Sequence, residues 1–195
     1  MAYDADFFDL YRIYLKEPVV RTNHDHAFKL MALIIRGQPR VIDLGCGISE
    51  YSAYDVYHMA YVGIDLKQRS EVPDFIAGDY MQFDFTQELP FIPNAFVSLF
   101  SVECCHPAAD KYALYEKLFS TLPQLQCGLV GGFFYRSKRD QKTVSEAGGI
   151  VSFQTIEDPS LHISKTFIEL RIHMDTPSRM FGADVVEVWK LLIRI

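Results

Sequence analysis

The chain has 195 residues, with 19 Lys+Arg against 25 Asp+Glu and a formal net charge of −6. Hydrophobic residues at 49% and charged residues at 23% describe a globular chain rather than a disordered one, and the length suits one domain with a sizeable core. The acidic balance argues against a nucleic-acid partner, because neutralising phosphates needs a positive surface. The acidic start MAYDADFFD is unlike a targeting peptide, and no apolar run approaches the ~18 residues of a membrane span. Four cysteines (Cys46, Cys104, Cys105, Cys127) lack CxxC spacing. These features predict a cytoplasmic protein without a membrane segment.

In chain order, residues 4–16 place Phe7, Leu10, Tyr11 and Tyr14 at helical spacing, and Glu17-Pro18 is expected to end that helix. A second helix is expected over 24–36, capped by Thr22 or Asn23 and stopped by Gly37-Gln38-Pro39. Strand–helix alternation then begins. Strands are expected at 41–44, 61–65, 74–79, 95–102 and 128–135, with helices at 49–60 and 108–122. A polar, helical 136–146 is followed by β-like runs at 150–156, 165–173 and 185–195, whose alternation suits antiparallel strands. The fold class is therefore α/β: a mostly parallel, Rossmann-like sheet of about seven strands, helices on both faces, antiparallel strands at the C-terminal end. One domain over 1–195 is expected, with 1–36 as an N-terminal helical lid on a core from 40 onward.

In such sheets ligands bind at the carboxyl ends of the strands. The first strand runs into Asp43-Leu44-Gly45-Cys46-Gly47, and the second ends in Asp65, 22 residues after Asp43. That offset suits a glycine turn followed by an acid for two ribose hydroxyls. A dinucleotide fails on detail, because Glu50 stands where the third glycine of GxGxxG would fall and would repel a pyrophosphate. A P-loop is absent. The implied nucleoside therefore carries no phosphates, and S-adenosylmethionine is such a ligand.

VIDLGCG resembles the first motif of the class I S-adenosylmethionine-dependent methyltransferases, and GIDL resembles their second. Ala77-Gly78-Asp79 resembles the third. Leu89-Pro90-Phe91 with 96–102 resembles the stretch around the fourth strand, and Ser145-Glu146-Ala147-Gly148-Gly149 the turn before the sixth. The resemblance covers roughly residues 40–155, with a plausible last strand at 185–195. Ser49 replaces a glycine of the first motif, and Ala95-Phe96-Val97 lacks the usual acid.

The resemblance implies that S-adenosylmethionine is bound through Asp43 (ammonium), Gly45, Gly47, Asp65 (ribose) and Asp79 (adenine amino group). By position, Tyr80 would line the adenine side and Ser101 the methionine side. Glu103 and His106 follow the fourth strand and are the candidates for groups near the acceptor, set against a loop acid and a capping histidine. Cys104 and Cys105 lack the preceding proline of a cysteine nucleophile and read as packing residues. The His24-Asp25-His26 pattern lacks a further acid, so it reads as exposed side chains at a helix start and no metal is expected. Tyr11, Tyr14 and Arg21 could touch the cofactor from the lid, or simply pack. Arg136, Lys138, Arg139 and Lys142 form a basic cluster offset by Asp140.

The resemblance thus implies methyl transfer to N or O of a small molecule or a protein side chain. Two rivals share it: a non-catalytic binding or scaffold protein, and an RNA methyltransferase needing a partner subunit.

Overall fold

A computed structural model describes residues 13–14, 16–36, 40–47, 60–66, 68, 79–85, 87–89, 92–99, 101–102, 108–135, 154–155, 161–177 and 185–195. Helix α1 spans Pro18–Ile34 and helix α2 spans Ala108–Thr121. The strands are β1 (Arg40–Leu44), β2 (Ala60–Asp65), β3 (Asp79–Gln82), β4 (Ala95–Leu99), β5 (Cys127–Tyr135), β6 (Gln154–Thr155), β7 (Leu161–Ile163), β8 (Phe167–Pro177) and β9 (Val185–Arg194). They form one sheet in the order β3-β2-β1-β4-β5-β9-β8-β7, with β6 also paired to β5. Apart from the short β6 and β7, seven strands make the main path, as the strand–helix alternation predicts. The pairs β1–β2, β1–β4, β2–β3 and β4–β5 are parallel, while β9 runs antiparallel to β5 and β8.

Burial on both faces explains why the central strands are continuous apolar runs. One face carries Ile42, Leu44, Ile64, Phe96, Val130, Phe167 and Leu192, which pack with Tyr115, Leu118 and Phe119 of α2. Each such side chain contributes about 1.5–3 kcal/mol when fully buried. Phe96 stacks on Tyr115 at 5.9 Å, and Phe119 on Phe167 at 5.2 Å. Gly128 makes room for this: a Cβ there would lie 2.3 Å from the Phe96 ring. Arg194 fixes the far end of α2 by donating to the carbonyl of Phe119, one of the acceptors that the end of a helix leaves open, and to those of Leu122 and Leu125 in the turn that follows.

The opposite face is covered by α1, whose Val20, His24, Ala27, Phe28 and Met31 are buried. Trp189 of β9 receives both Phe28 and His24 edge-on, at 6.2 and 4.7 Å.

Several expectations are corrected here. Pro18 opens α1 instead of only closing an earlier helix; the proline ring sets a helical φ and removes an N–H that the first turn cannot use. Thr22 is therefore inside the helix, bonded to the Pro18 carbonyl, and does not cap it. The third strand runs over Asp79–Gln82, past its expected end at Asp79, while residues 74–78 of the expected strand lie outside the described residues. His24, expected on an exposed helix start, is fully buried. Among the C-terminal strands, β6 pairs with β5 in parallel, and β7 is additional. The helices expected at 49–60 and 136–146, and most of the one at 4–16, lie outside the described residues.

Candidate functional site

The order of the sheet reverses between β1 and β4, so the crevice at their carboxyl ends is the natural ligand position. Side chains from several strands and a glycine turn meet there. β1 ends at Leu44, and the chain turns through Gly45 (φ +70°) and Gly47 (φ +56°), both in the left-handed region that favours glycine. The Gly45 and Cys46 N–H groups donate to the Ile64 carbonyl at 2.7 and 3.1 Å. The Gly47 N–H donates to Oδ2 of Asp65 at 2.9 Å. Asp65 therefore holds the glycine turn against the end of β2, with its half-buried carboxylate at the strand's last position.

On the β4 side, the Ser98 hydroxyl donates to the Leu44 carbonyl at 3.1 Å and accepts the Val102 N–H at 3.2 Å. This fully buried serine joins the end of β1 to the turn after β4. Ser101 is thereby brought over Gly45: a Cβ on Gly45 would lie 2.1 Å from the Ser101 hydroxyl oxygen. The two residues close the crevice from opposite strands, and only a residue without a side chain fits at 45.

Asp43 lies beneath the turn, with 1% of its surface exposed. Its Oδ2 accepts a hydrogen bond from the Tyr61 hydroxyl of β2. Burial pushes the carboxyl up to about 7; the Tyr61 bond opposes this rise and the charge of Asp65 adds to it. Tyr61 and Tyr80 both pack against Cys46, so the two tyrosines build the wall beside the turn.

Sequence reasoning brought Asp43, Gly45, Gly47, Asp65, Tyr80 and Ser101 to this end of the sheet, and the structure places them together there. Asp79 is different. It pairs with Val62 at the amino end of β3, and the residue level with Asp65 is Gln82. The chain beyond it is tied by the Phe83 N–H to the Asp65 carbonyl at 2.8 Å, which puts the half-buried Asp84 at the carboxyl end. Tyr61, Ser98 and Asp84 were missed. No local pattern marks Tyr61, which reaches Asp43 only through the pairing of β1 with β2. Glu103, His106, Cys104, Cys105, Tyr11, Glu50 and the basic cluster from Arg136 lie outside the described residues. Tyr14 is buried, with its hydroxyl on Glu187, while Arg21 is exposed. No group of three metal-capable side chains occurs among the described residues. No helix there is long and apolar enough to cross a membrane.

No protein-family model matches the sequence, and no curated protein matches it. Solved structures do. The N-methyltransferase NodS from Bradyrhizobium japonicum, in complex with S-adenosyl-L-homocysteine, superposes with a TM-score of 0.59 at 11% identity over 98% of this chain and 99% of that one. Magnesium protoporphyrin IX methyltransferase from Synechocystis, also with S-adenosylhomocysteine bound, gives 0.58 at 16% identity over 98% and 95%. The plantazolicin methyltransferase BpumL gives 0.57 at 14% identity over 98% and 91%. The fold is that of the class I S-adenosylmethionine-dependent methyltransferases. Within the methyltransferase fold, the glycine turn of this chain closes on Asp65 below and Ser101 above.

Proposed function

We propose that the chain is an S-adenosylmethionine-dependent methyltransferase acting on N or O of a small molecule or a protein side chain. The observation that carries this reading is the double glycine turn after β1, locked to Asp65 at a sheet crevice that leaves no room for a Cβ at position 45. The residues present fit the cofactor. Asp65 ends β2 where a ribose diol would be held, Asp43 offers a buried acid to an ammonium group, and Tyr61 and Tyr80 wall one side. We assign the adenine-side role expected of Asp79 to Asp84, since Asp84 stands at the carboxyl end of β3. Ser101 is assigned to the methionine side.

When bound, S-adenosylmethionine supplies a methyl group made electrophilic by its sulfonium. The chain's task is then alignment: holding donor and acceptor in line at ~3 Å can supply much of the rate, so no protein nucleophile is needed. Ser98 and Asp65 serve this by fixing the turn from two strands, and the buried position of Asp43 keeps its charge from being dispersed in water. Glu103 and His106, just after β4, are the residues proposed to take the acceptor's proton, and the segment before Pro18 is proposed to cover the cofactor. The named relatives act on different substrates, so the acceptor is defined here only by class.

The test is direct. Calorimetry should show S-adenosylmethionine and S-adenosylhomocysteine binding and no NAD binding, and labelled methyl transfer should be sought with small-molecule and peptide acceptors. NAD binding without S-adenosylmethionine binding would overturn the assignment. Cofactor binding with no transfer to any acceptor would favour the scaffold reading, and salt-sensitive RNA binding would favour the RNA enzyme.

A further inference from the structure

Asp43 and Tyr61 are joined in a way that the proposed cofactor contacts do not use. Asp43 is in the middle strand β1, with Gly63 of β2 and Val97 of β4 as register partners on either side. Neither partner is polar, and the carboxylate is almost wholly removed from water. Tyr61 reaches along β2 from two residues below and donates its hydroxyl hydrogen to Oδ2. Among the described residues, the titratable groups acting on Asp43 are Tyr61 and Asp65, both on β2, while β4 presents Val97.

We propose that Tyr61 is a positioning residue whose hydroxyl aims the buried Asp43 carboxylate and favours its ionised form, and that cofactor binding drives off the proton that burial leaves on Asp43. This inference rests on the cofactor reading above and adds a regulation to that site. The balance is simple. In the free protein a fraction of the chains carries Asp43 as a neutral acid; arrival of a cationic ligand breaks its O–H bond, the proton passes to solvent, and the carboxylate faces the ligand's positive charge. The carboxyl is pushed up to about 7 by burial, so this exchange falls within the neutral range. Below that pH the ligand competes with the proton and affinity should fall about tenfold per pH unit. The Tyr61 bond lowers the pH at which the carboxyl ionises. Without it, the same competition should begin about one pH unit higher.

The experiment is calorimetry of S-adenosylmethionine with the whole chain from pH 6 to 9, each point in two buffers of different ionisation enthalpy, for wild type, Tyr61→Phe and Asp43→Asn. The phenylalanine keeps the ring packed on Cys46, and far-UV circular dichroism checks that each variant is folded. Wild type should release a proton on binding at pH 6 and lose affinity about fivefold between pH 7 and 6. Tyr61→Phe should bind several-fold to tenfold more weakly at pH 7 and regain wild-type affinity by pH 9. Asp43→Asn should retain only the ligand's own amino-group titration, which is common to all three proteins.

A Tyr61→Phe variant with wild-type affinity at every pH, or one weakened equally at every pH, would overturn the proposal. Binding by wild type without proton release would overturn it too, while leaving the cofactor reading intact. Absence of binding at any pH would remove both.

Discussion

His24 of α1 and Glu187 of β9, 163 residues apart in sequence, meet at 2.5 Å with neither side chain exposed. The Tyr14 hydroxyl donates to the other oxygen of Glu187 at 2.7 Å. Burial and the nearby Glu187 charge hold the Tyr14 phenol far above its ordinary range, so it remains a donor throughout the working pH range. The cluster pins the start of the chain to a strand near its other end.

Removing Glu187 should therefore cost more than an ordinary side-chain deletion. Glu187→Ala leaves two buried polar partners without their acceptor, and about 3–5 kcal/mol of stability should be lost. Tyr14→Phe removes one bond to a charged group and should cost about 1.5–3 kcal/mol. Urea unfolding followed by tryptophan fluorescence suits this measurement, because Trp189, the sole tryptophan, contacts the His24 ring.

Gly45→Ala should be damaging for two separate reasons, the positive φ and the contact with Ser101. The steric part is separable: Ser101→Gly removes the opposing side chain. The single variant should lose cofactor binding at least tenfold and about 1–3 kcal/mol of stability. The double variant should regain part of the stability while keeping the φ penalty. Equal stability of single and double variants would show that Ser101 does not press on this turn.

Asp43→Asn should raise stability while it harms binding. The folded state holds the Asp43 proton up to about pH 7, against an ordinary 3.8. A raised value means that the folded chain binds the proton more tightly than the unfolded chain. Its contribution is thus full below 3.8 and is lost as pH rises to about 7. Above that, the fold carries a buried charge costing roughly 2–4 kcal/mol. Thermal melts should show the variant more stable than wild type at pH 8 and similar to it at pH 4. The opposite order at pH 8 would mean that the carboxylate is stabilised in the free protein.

Asp65→Ala should weaken S-adenosylmethionine binding at least tenfold, since hydrogen bonds to charged groups are worth about 1.5–3 kcal/mol each. The substitution also frees the Gly47 N–H from its acceptor, so the turn itself should loosen. Hydrogen exchange at Gly47 should quicken in the variant, with the central strand Val41–Leu44 unchanged. Wild-type affinity would place the ribose elsewhere.

The strands 41–44, 61–65 and 128–135, and the one expected at 95–102 that ends at Leu99, were legible because burial on both faces demands unbroken apolar runs, and so was the glycine turn, because its φ values favour glycine. The third strand runs on past Asp79, where it was expected to end. The stretch 79–82 takes its place through backbone pairing to β2, with Asp79 opposite Val62 and the Phe83 N–H on the Asp65 carbonyl. Pro18 carries the same rigid ring whether it stops one helix or starts another. The burial of His24 depended on Glu187, and the bond of Asp43 depended on Tyr61; each partner is brought in by tertiary structure that local periodicity does not encode.

The place of β9 between β5 and β8 has a bearing on how the chain is made. While residues 1–177 emerge from the ribosome, β1 to β5 can already align, and β7 can pair with β8, but that pair has no strand to join it to the rest of the sheet. Until residues 185–194 arrive, β5 presents an open edge whose N–H and C=O groups invite pairing with another nascent chain. Folding then waits on the latest strand, which must insert between two waiting ones and bring Arg194 to the end of α2 in the same step. Slow translation across 178–194 would prolong that interval, and a chaperone acting there would have β5 as its client surface.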